Sequence, residues 1–243
     1  HVASIIMGTG GLTGTYMGVA PEAKLVDVKV LRSIGANFED QLIRGIDWVI
    51  ENKERYKIKI INLSVASTIE DPDGTSAVSR AADIAVENGL IVVAAAGNEG
   101  PDAETICAPG VADKVITVAA IDDENTVDPS DDVIAEYSSR GPVKDGSEKP
   151  DISAPGSDIV GAQASETGNA SDGLVRMWGT SMAAPHVTGV CVLILEADPT
   201  LSPLEVKEIL LDTAEDMGES GWDADYGWGV IDAYGAVTFA TNG

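Results

Sequence analysis

An α/β fold, with a mainly parallel sheet held between helices, is the architecture this sequence predicts. Two observations lead there. Short stretches dominated by apolar residues (59–65, 90–96 and 115–121) alternate with helix-length segments. Those stretches lack the strict apolar–polar alternation of a half-exposed strand, so they read as strands covered on both faces. With 243 residues and 44% hydrophobic content, the chain can bury a substantial core and fits one domain, 1–243.

The elements follow in order. Lys24–Leu31 reads as a strand, and Phe38–Lys53, with Leu42, Ile46, Val49 and Ile50 on one face, as an amphipathic helix. Lys59–Val65 and Leu90–Ala96 are short buried strands separated by a helix, Ser76–Asn88, that Gly89 ends. Val115–Ile121 is a further strand, and the Gly/Ser-rich stretch 156–173 reads as a long surface loop. A buried helix opens at Ser181 and carries Val187, Val190, Val192, Leu193, Ile194 and Leu195. Ser202-Pro203-Leu204-Glu205 starts another, with a capping serine, proline in the first turn and an acid to meet the helix dipole. Sites in such sheets form at the carboxyl ends of strands, where Ser64 and Asn98 fall.

Ser181 has the setting of a nucleophile. Gly179 allows a tight turn before it, and a hydroxyl at a helix N-terminus faces unpaired N–H groups and the positive dipole end. On Gly-Thr-Ser alone, an N-cap is by far the more ordinary reading. The longer run Gly179-Thr180-Ser181-Met182-Ala183-Ala184-Pro185-His186-Val187 resembles the nucleophile motif of subtilisin-like serine proteases, the subtilases. Val92-Val93-Ala94-Ala95-Ala96-Gly97-Asn98-Glu99-Gly100 is similar to the oxyanion-hole strand of that family, with Asn98 as donor. Tyr137–Pro142, Lys149–Gly156 and Tyr226–Ala233 also resemble subtilase segments, so the likeness runs from His1 to about Ala240.

The resemblance implies a three-layer subtilisin-like fold and an acyl-enzyme endopeptidase acting on polypeptides, with Ser181 attacking. It places substrate along Ser64, Val65 and Ala66, against Ala95, Ala96 and Gly97, with Cys107 on the wall of the specificity pocket. Ala66 and Ser67 stand where the family pattern has glycines, so subsite preferences do not carry over. The family orders its triad Asp, His, Ser. His1-Val2-Ala3 aligns with the second, non-catalytic histidine of the histidine motif, which puts the base three residues before residue 1. His186 matches a structural histidine five residues after Ser181. The expectation is therefore a catalytic domain incomplete at its N-terminus, and inert as the 243 residues alone.

Composition narrows the partners. Forty acidic residues against fifteen basic give a net charge of −25, which excludes nucleic acid and anionic membrane surfaces. The acids are spread through the chain, a pattern that fits a salt-adapted, haloarchaeal-type protein in which about 1 M salt shortens the Debye length to about 3 Å. No run of 18 apolar residues suggests a membrane span. A monomer is expected, and extracellular placement follows from the resemblance alone. Cys191 reads as a buried small hydrophobe, and two cysteines define no disulfide framework. No cofactor is required. The loop 8–18 lacks Asp, Glu and Asn, so the calcium site that the family often carries there is expected to be absent; the many carboxylates leave structural calcium open elsewhere.

Two rival readings differ in class. Gly8-Thr9-Gly10-Gly11-Leu12-Thr13-Gly14 suggests a dinucleotide loop, but Thr13 occupies the position of the third glycine and no helical periodicity follows. The second is a subtilase-like peptide-binding module without catalysis.

Overall fold

The structure, a computed structural model, describes residues 1–11, 14–31, 38–67, 70–163 and 173–242. The central sheet starts with β1 (Ile60–Leu63), β2 (Ile91–Ala95) and β3 (Ile116–Asp122), paired in parallel with Leu63 opposite Ala94 and Ala94 opposite Thr117. On its other side β3 pairs with β5 (Ile152–Pro155) in parallel, Val118 opposite Ile152, while its end takes the short antiparallel β4 (Val133–Ile134).

Strand β2 shows why the sheet has helices on both faces. Ile91, Val93 and Ala95 belong to one core, whereas Val92 and Ala94 belong to the other. Side chains of successive strand residues point to opposite faces, so a strand apolar at every position needs two covers. The first cover is α4 (Thr180–Ala197) with α5 (Pro203–Asp212) and α6 (Ala233–Asn242). The second is α2 (Phe38–Tyr56) with α3 (Ala77–Glu87).

Local signals set the helix ends. Ser76 caps α3 by accepting from Ser79 N–H, and Ser202 with Glu205 forms a reciprocal capping box on α5. In α2, Glu39 and Asp40 sit in the first turn and Lys53 and Arg55 in the last, matching the dipole at both ends. By length and composition α4 could cross a membrane, but 61% of it is buried inside the protein, as befits a core helix.

The structure corrects the sequence-based elements in three places. Lys24–Leu31 forms no strand: Val28 and Val30 pack against the α2–α3 core, and Leu25, Val26 and Leu31 face outward. Val30 fills the room left by the missing side chain of Gly45, whose Cβ would lie 2.5 Å from Val30 Cγ1. The stretch read as a surface loop contains β6 (Ile159–Ala162), which pairs antiparallel with β7 (Leu174–Met177); residues 164–172 fall outside the described set. Helix α4 opens at Thr180 with Gly179 as its N-cap, a residue with no side chain of its own to cap it. A short N-terminal helix, α1 (Val2–Met7), adds Ile5 and Ile6 to the buried residues and lies against α4.

One charged cluster lies in the interior. Lys149 Nζ donates to Asp151 Oδ2 at 2.6 Å and to the Val115 carbonyl at 2.8 Å, while Lys207 of α5 reaches Asp151 Oδ1 at 2.8 Å. Thr117 N–H donates to Asp151 Oδ2 at 2.7 Å. Burial pulls the Lys149 ammonium down to about 8. Burial also pushes the Asp151 carboxyl up, but Lys149 and Lys207 outweigh it and hold the group below its ordinary range. The two cysteines are free, and burial raises the Cys191 thiol to about 12.

Candidate active site

Ser181 occupies the second position of α4, beyond a glycine whose φ is +140°, in the left-handed half of backbone space. Three groups fix the approach to it. Gly179 N–H donates to the Gly156 carbonyl at 3.0 Å and also meets the Tyr137 hydroxyl at 3.3 Å. Thr180 N–H donates to Asn98 Oδ1 at 2.9 Å, and the Thr180 hydroxyl donates to the same oxygen at 3.0 Å. Thr180 Oγ1 also accepts from Gly97 N–H at 3.2 Å, tying the helix start to the end of β2.

These contacts orient the Asn98 amide. A backbone N–H can only donate, so the face toward Thr180 must be the carbonyl oxygen, and the N–H₂ is left pointing elsewhere. Among the described residues Asn98 Nδ2 has no acceptor, and neither does Ser181 N–H. Both donors border the space that Gly179 leaves open: a Cβ there would lie 3.4 Å from Asn98 Nδ2 and 3.7 Å from Ser181 N.

Ser64 follows β1 directly and meets Ser181. Its hydroxyl donates to the Ser181 carbonyl at 2.8 Å, and the Ser181 hydroxyl donates to the Ser64 carbonyl at 3.2 Å. The first bond has a local cause. Inside a helix the Ser181 carbonyl would accept from the N–H four residues on, but that residue is Pro185 and has none. Asn62 Nδ2 donates to Ser64 Oγ at 2.9 Å, and Thr188 of α4 donates to Asn62 Oδ1 at 2.8 Å, so the pair is embedded in a polar network.

The structure thus brings Ser181, Asn98 and Ser64 together, with Val65 and exposed Ala66 continuing the segment. Ala95 and Ala96 are 1% and 0% exposed, so their side chains lie in the core and serve the site by ending β2 beneath it. Gly97 is required as glycine, because a Cβ would come within 2.7 Å of both Cys107 Sγ and Ser139 Oγ. Ser67 turns its hydroxyl to Glu39 Oε1 at 2.8 Å. Thr180, Tyr137, Ser139 and Asn62 were not singled out from sequence. The available signal was Asn62, a polar residue within a buried strand, which must find partners.

Neither histidine hydrogen-bonds Ser181. His186 lies about 140° around α4 from it at 100° per residue. Its Nδ1 meets the Met182 carbonyl at 2.9 Å, and burial lowers its pKa, keeping the ring neutral. His1 Nε2 bridges the Ile159 and Val175 carbonyls at 3.0 and 3.2 Å, across the β6–β7 pair. Among the described residues no group of three or more His, Cys, Asp or Glu side chains is arranged to hold a metal ion.

Comparison with known proteins adds the wider context. The model of the subtilase family, peptidase group S8, matches residues 1–229. Serine protease AprX of Bacillus subtilis (strain 168) is 38% identical over 255 residues; the match covers 98% of this chain and 57% of that protein, less than two thirds of its length. Subtilisin DY of Bacillus licheniformis is 35% identical over 239 residues, covering 98% of this chain and 76% of that protein. Among solved structures, S41 psychrophilic protease superposes with a TM-score of 0.79 at 32% identity, over 96% of this chain and 76% of that one.

Proposed function

Because the chain belongs to the subtilase family, we propose that the full-length protein is a serine endopeptidase working through an acyl-enzyme on Ser181. One observation carries the reading: two N–H donors without acceptors, on Asn98 and Ser181, border one open space at the start of the helix that carries Ser181. A peptide extended along Ser64–Ala66 presents its carbonyl there. Attack by Ser181 Oγ places negative charge on that oxygen, and donors already in position stabilise it with no reorganisation. The hydroxyl is a weak nucleophile until a base takes its proton. Since His1 and His186 are engaged elsewhere, the reading assigns that base to a histidine outside these 243 residues, oriented by an aspartate also outside them.

The experiment is fluorophosphonate labelling of the full-length protein and its Ser181→Ala variant. Labelling confined to Ser181 and lost in the variant is expected, with none on the 243 residues alone. The bond from Ser181 Oγ to the Ser64 carbonyl favours a second reading, a peptide-binding module whose serine is never activated. Full-length protein that binds peptides yet takes no label would establish it.

The same proposal has the enzyme act outside the cell as a salt-adapted monomer. A relative named minor extracellular protease Epr is 30% identical over 234 residues, and a net charge of −25 spread over the chain supports the salt adaptation. Side chains and backbone fill every role in this chemistry, so no cofactor is invoked; structural calcium is left to direct metal analysis.

A further inference from the structure

Tyr137-Ser138-Ser139 runs between the two halves of the donor pair and holds each of them. On one side it clamps the turn that carries Asn98. Ser139 N–H donates to the Gly97 carbonyl at 3.0 Å, Glu99 N–H to Ser139 Oγ at 3.1 Å, and Gly100 N–H to the Tyr137 carbonyl at 3.1 Å. On the other side it reaches the residue that leads into α4, where the Tyr137 hydroxyl accepts from Gly179 N–H at 3.3 Å. The same hydroxyl lies 3.2 Å from Ser157 Oγ, and the ring packs against the core beneath α4. Ser138 fastens the segment to β3, its hydroxyl accepting from Ala120 N–H at 3.0 Å.

Gly179 needs holding from outside. It keeps a φ of +140° with no side chain of its own to lock it, so its neighbours must. The peptide after it is fixed by Asn98, which takes Thr180 N–H, and by Met182 N–H, which donates to the Gly179 carbonyl at 2.8 Å. The peptide before it has two acceptors, the Gly156 carbonyl at 3.0 Å and the Tyr137 hydroxyl. Among the described residues, Tyr137 supplies the only side-chain acceptor for Gly179 N–H. Rotation about that glycine moves Ser181 N–H relative to Asn98 Nδ2. Burial pushes the Tyr137 phenol above its ordinary range, so it stays a neutral hydroxyl.

Resting on the endopeptidase reading, we propose that Tyr137 is a positioning residue for the reaction: its hydroxyl holds Gly179 so that Ser181 N–H and Asn98 Nδ2 meet the same developing oxyanion. Its effect passes through Gly179 and not through contact with the reacting atoms. Loss of one neutral hydrogen bond at this point should cost about two- to tenfold in kcat.

Two measurements test it in the full-length protein. With a fluorogenic peptide substrate, Tyr137→Phe should lower kcat about two- to tenfold and leave KM unchanged, since the extended contact along Ser64–Ala66 is intact. Adding Ser157→Ala removes the buried hydroxyl that Tyr137→Phe leaves orphaned; Tm should then recover and kcat should not. In an Asn98→Asp background, where one donor is already gone, Tyr137→Phe should cost less than it does in the wild type. The second measurement needs no catalysis. In Ser181→Ala protein, hydrogen–deuterium exchange over residues 178–182 should be faster with Tyr137→Phe, and unchanged over β3. Faster exchange in a full-length protein that cleaves no peptide would retain the hold on Gly179 and overturn the endopeptidase reading. An unchanged kcat, a loss confined to KM, an equal loss in the Asn98→Asp background, or exchange unmoved by the substitution would overturn the positioning role.

Discussion

Ser64 and Ser181, 117 positions apart, exchange hydrogen bonds in both directions, each hydroxyl donating to the other residue's carbonyl at 2.8 and 3.2 Å. Because Pro185 cannot satisfy the Ser181 carbonyl, the first turn of α4 depends on Ser64 for a bond that helices normally make internally. Ser64→Ala should therefore lower stability by about 1–3 kcal/mol, the cost of an orphaned acceptor. In a Pro185→Ala background the helix regains its own donor, and the Ser64→Ala penalty should shrink by about 0.5 kcal/mol or more in urea unfolding. Equal penalties in both backgrounds would show that the two residues are uncoupled.

Asn98 contributes an acceptor to Thr180 and a donor to the space beside Ser181, and two substitutions separate these. Asn98→Asp retains the acceptor and loses the donor, so kcat should fall with KM and Tm little changed. Asn98→Leu should reduce kcat similarly and also lower Tm, because Thr180 loses its partner. A fall of about 10²–10³ is the magnitude known for losing this donor in subtilisin, a relative of this chain, and is borrowed from there. Turnover unchanged in both variants would remove Asn98 from the oxyanion role.

Lys149 should make the protein gain stability in alkali. Its folded pKa is about 8, below the ordinary 10.5. Between those values the unfolded chain still holds a proton that the folded one has released, so raising pH favours folding. This contribution is complete above about pH 10.5 and is lost as pH falls through 8. Buried Cys191, raised to about 12, works in the opposite sense above pH 9, so the test is a difference. Between pH 7 and pH 10.5 the change in urea-unfolding stability should be more favourable in wild type than in Lys149→Met. Parallel pH profiles for the two proteins would refute it. Asp151→Asn, which leaves buried Lys149 facing the part-buried Lys207 with no anion between them, should cost about 3–5 kcal/mol.

Salt should raise the thermal midpoint. With a net charge of −25, repulsion is nearly unscreened in dilute buffer and falls as the Debye length shrinks from about 10 Å at 0.1 M to about 3 Å at 1 M. A midpoint that stays flat or falls between about 0.1 and 3 M sodium chloride would remove the salt-adaptation proposal.

Sequence patterns revealed the central strands because β1, β2 and β3 are apolar enough to need two covers. They failed where apolar residues serve a different purpose. Val28 and Val30 alternate as in a strand, yet alternation encodes one-sided burial and says nothing of a ladder partner; here Gly45 supplies the cavity they fill. The β6–β7 pair was hidden by length: Ile159–Ala162 and Leu174–Met177 hold β-prone residues, but each run is only four residues long and borders a Gly/Ser-rich stretch. Ser181 and Asn98 were legible through motif resemblance. The Ser64–Ser181 exchange and the interior position of Lys149 were not, since each depends on partners remote in sequence.

The packing of α1 on α4 has a consequence for how the chain is made. Ile5 and Ile6 precede the start of α4 by about 175 residues, and Val19, which donates to the Ile5 carbonyl, packs at the position where Gly189 lacks a side chain. About 175 residues must leave the ribosome before that cover exists, roughly ten to forty seconds at typical rates of about 5–20 residues per second. A nascent chain stalled before Thr180 therefore presents these isoleucines to chaperones and proteases. The segment that finally shelters them is the one that delivers Ser181.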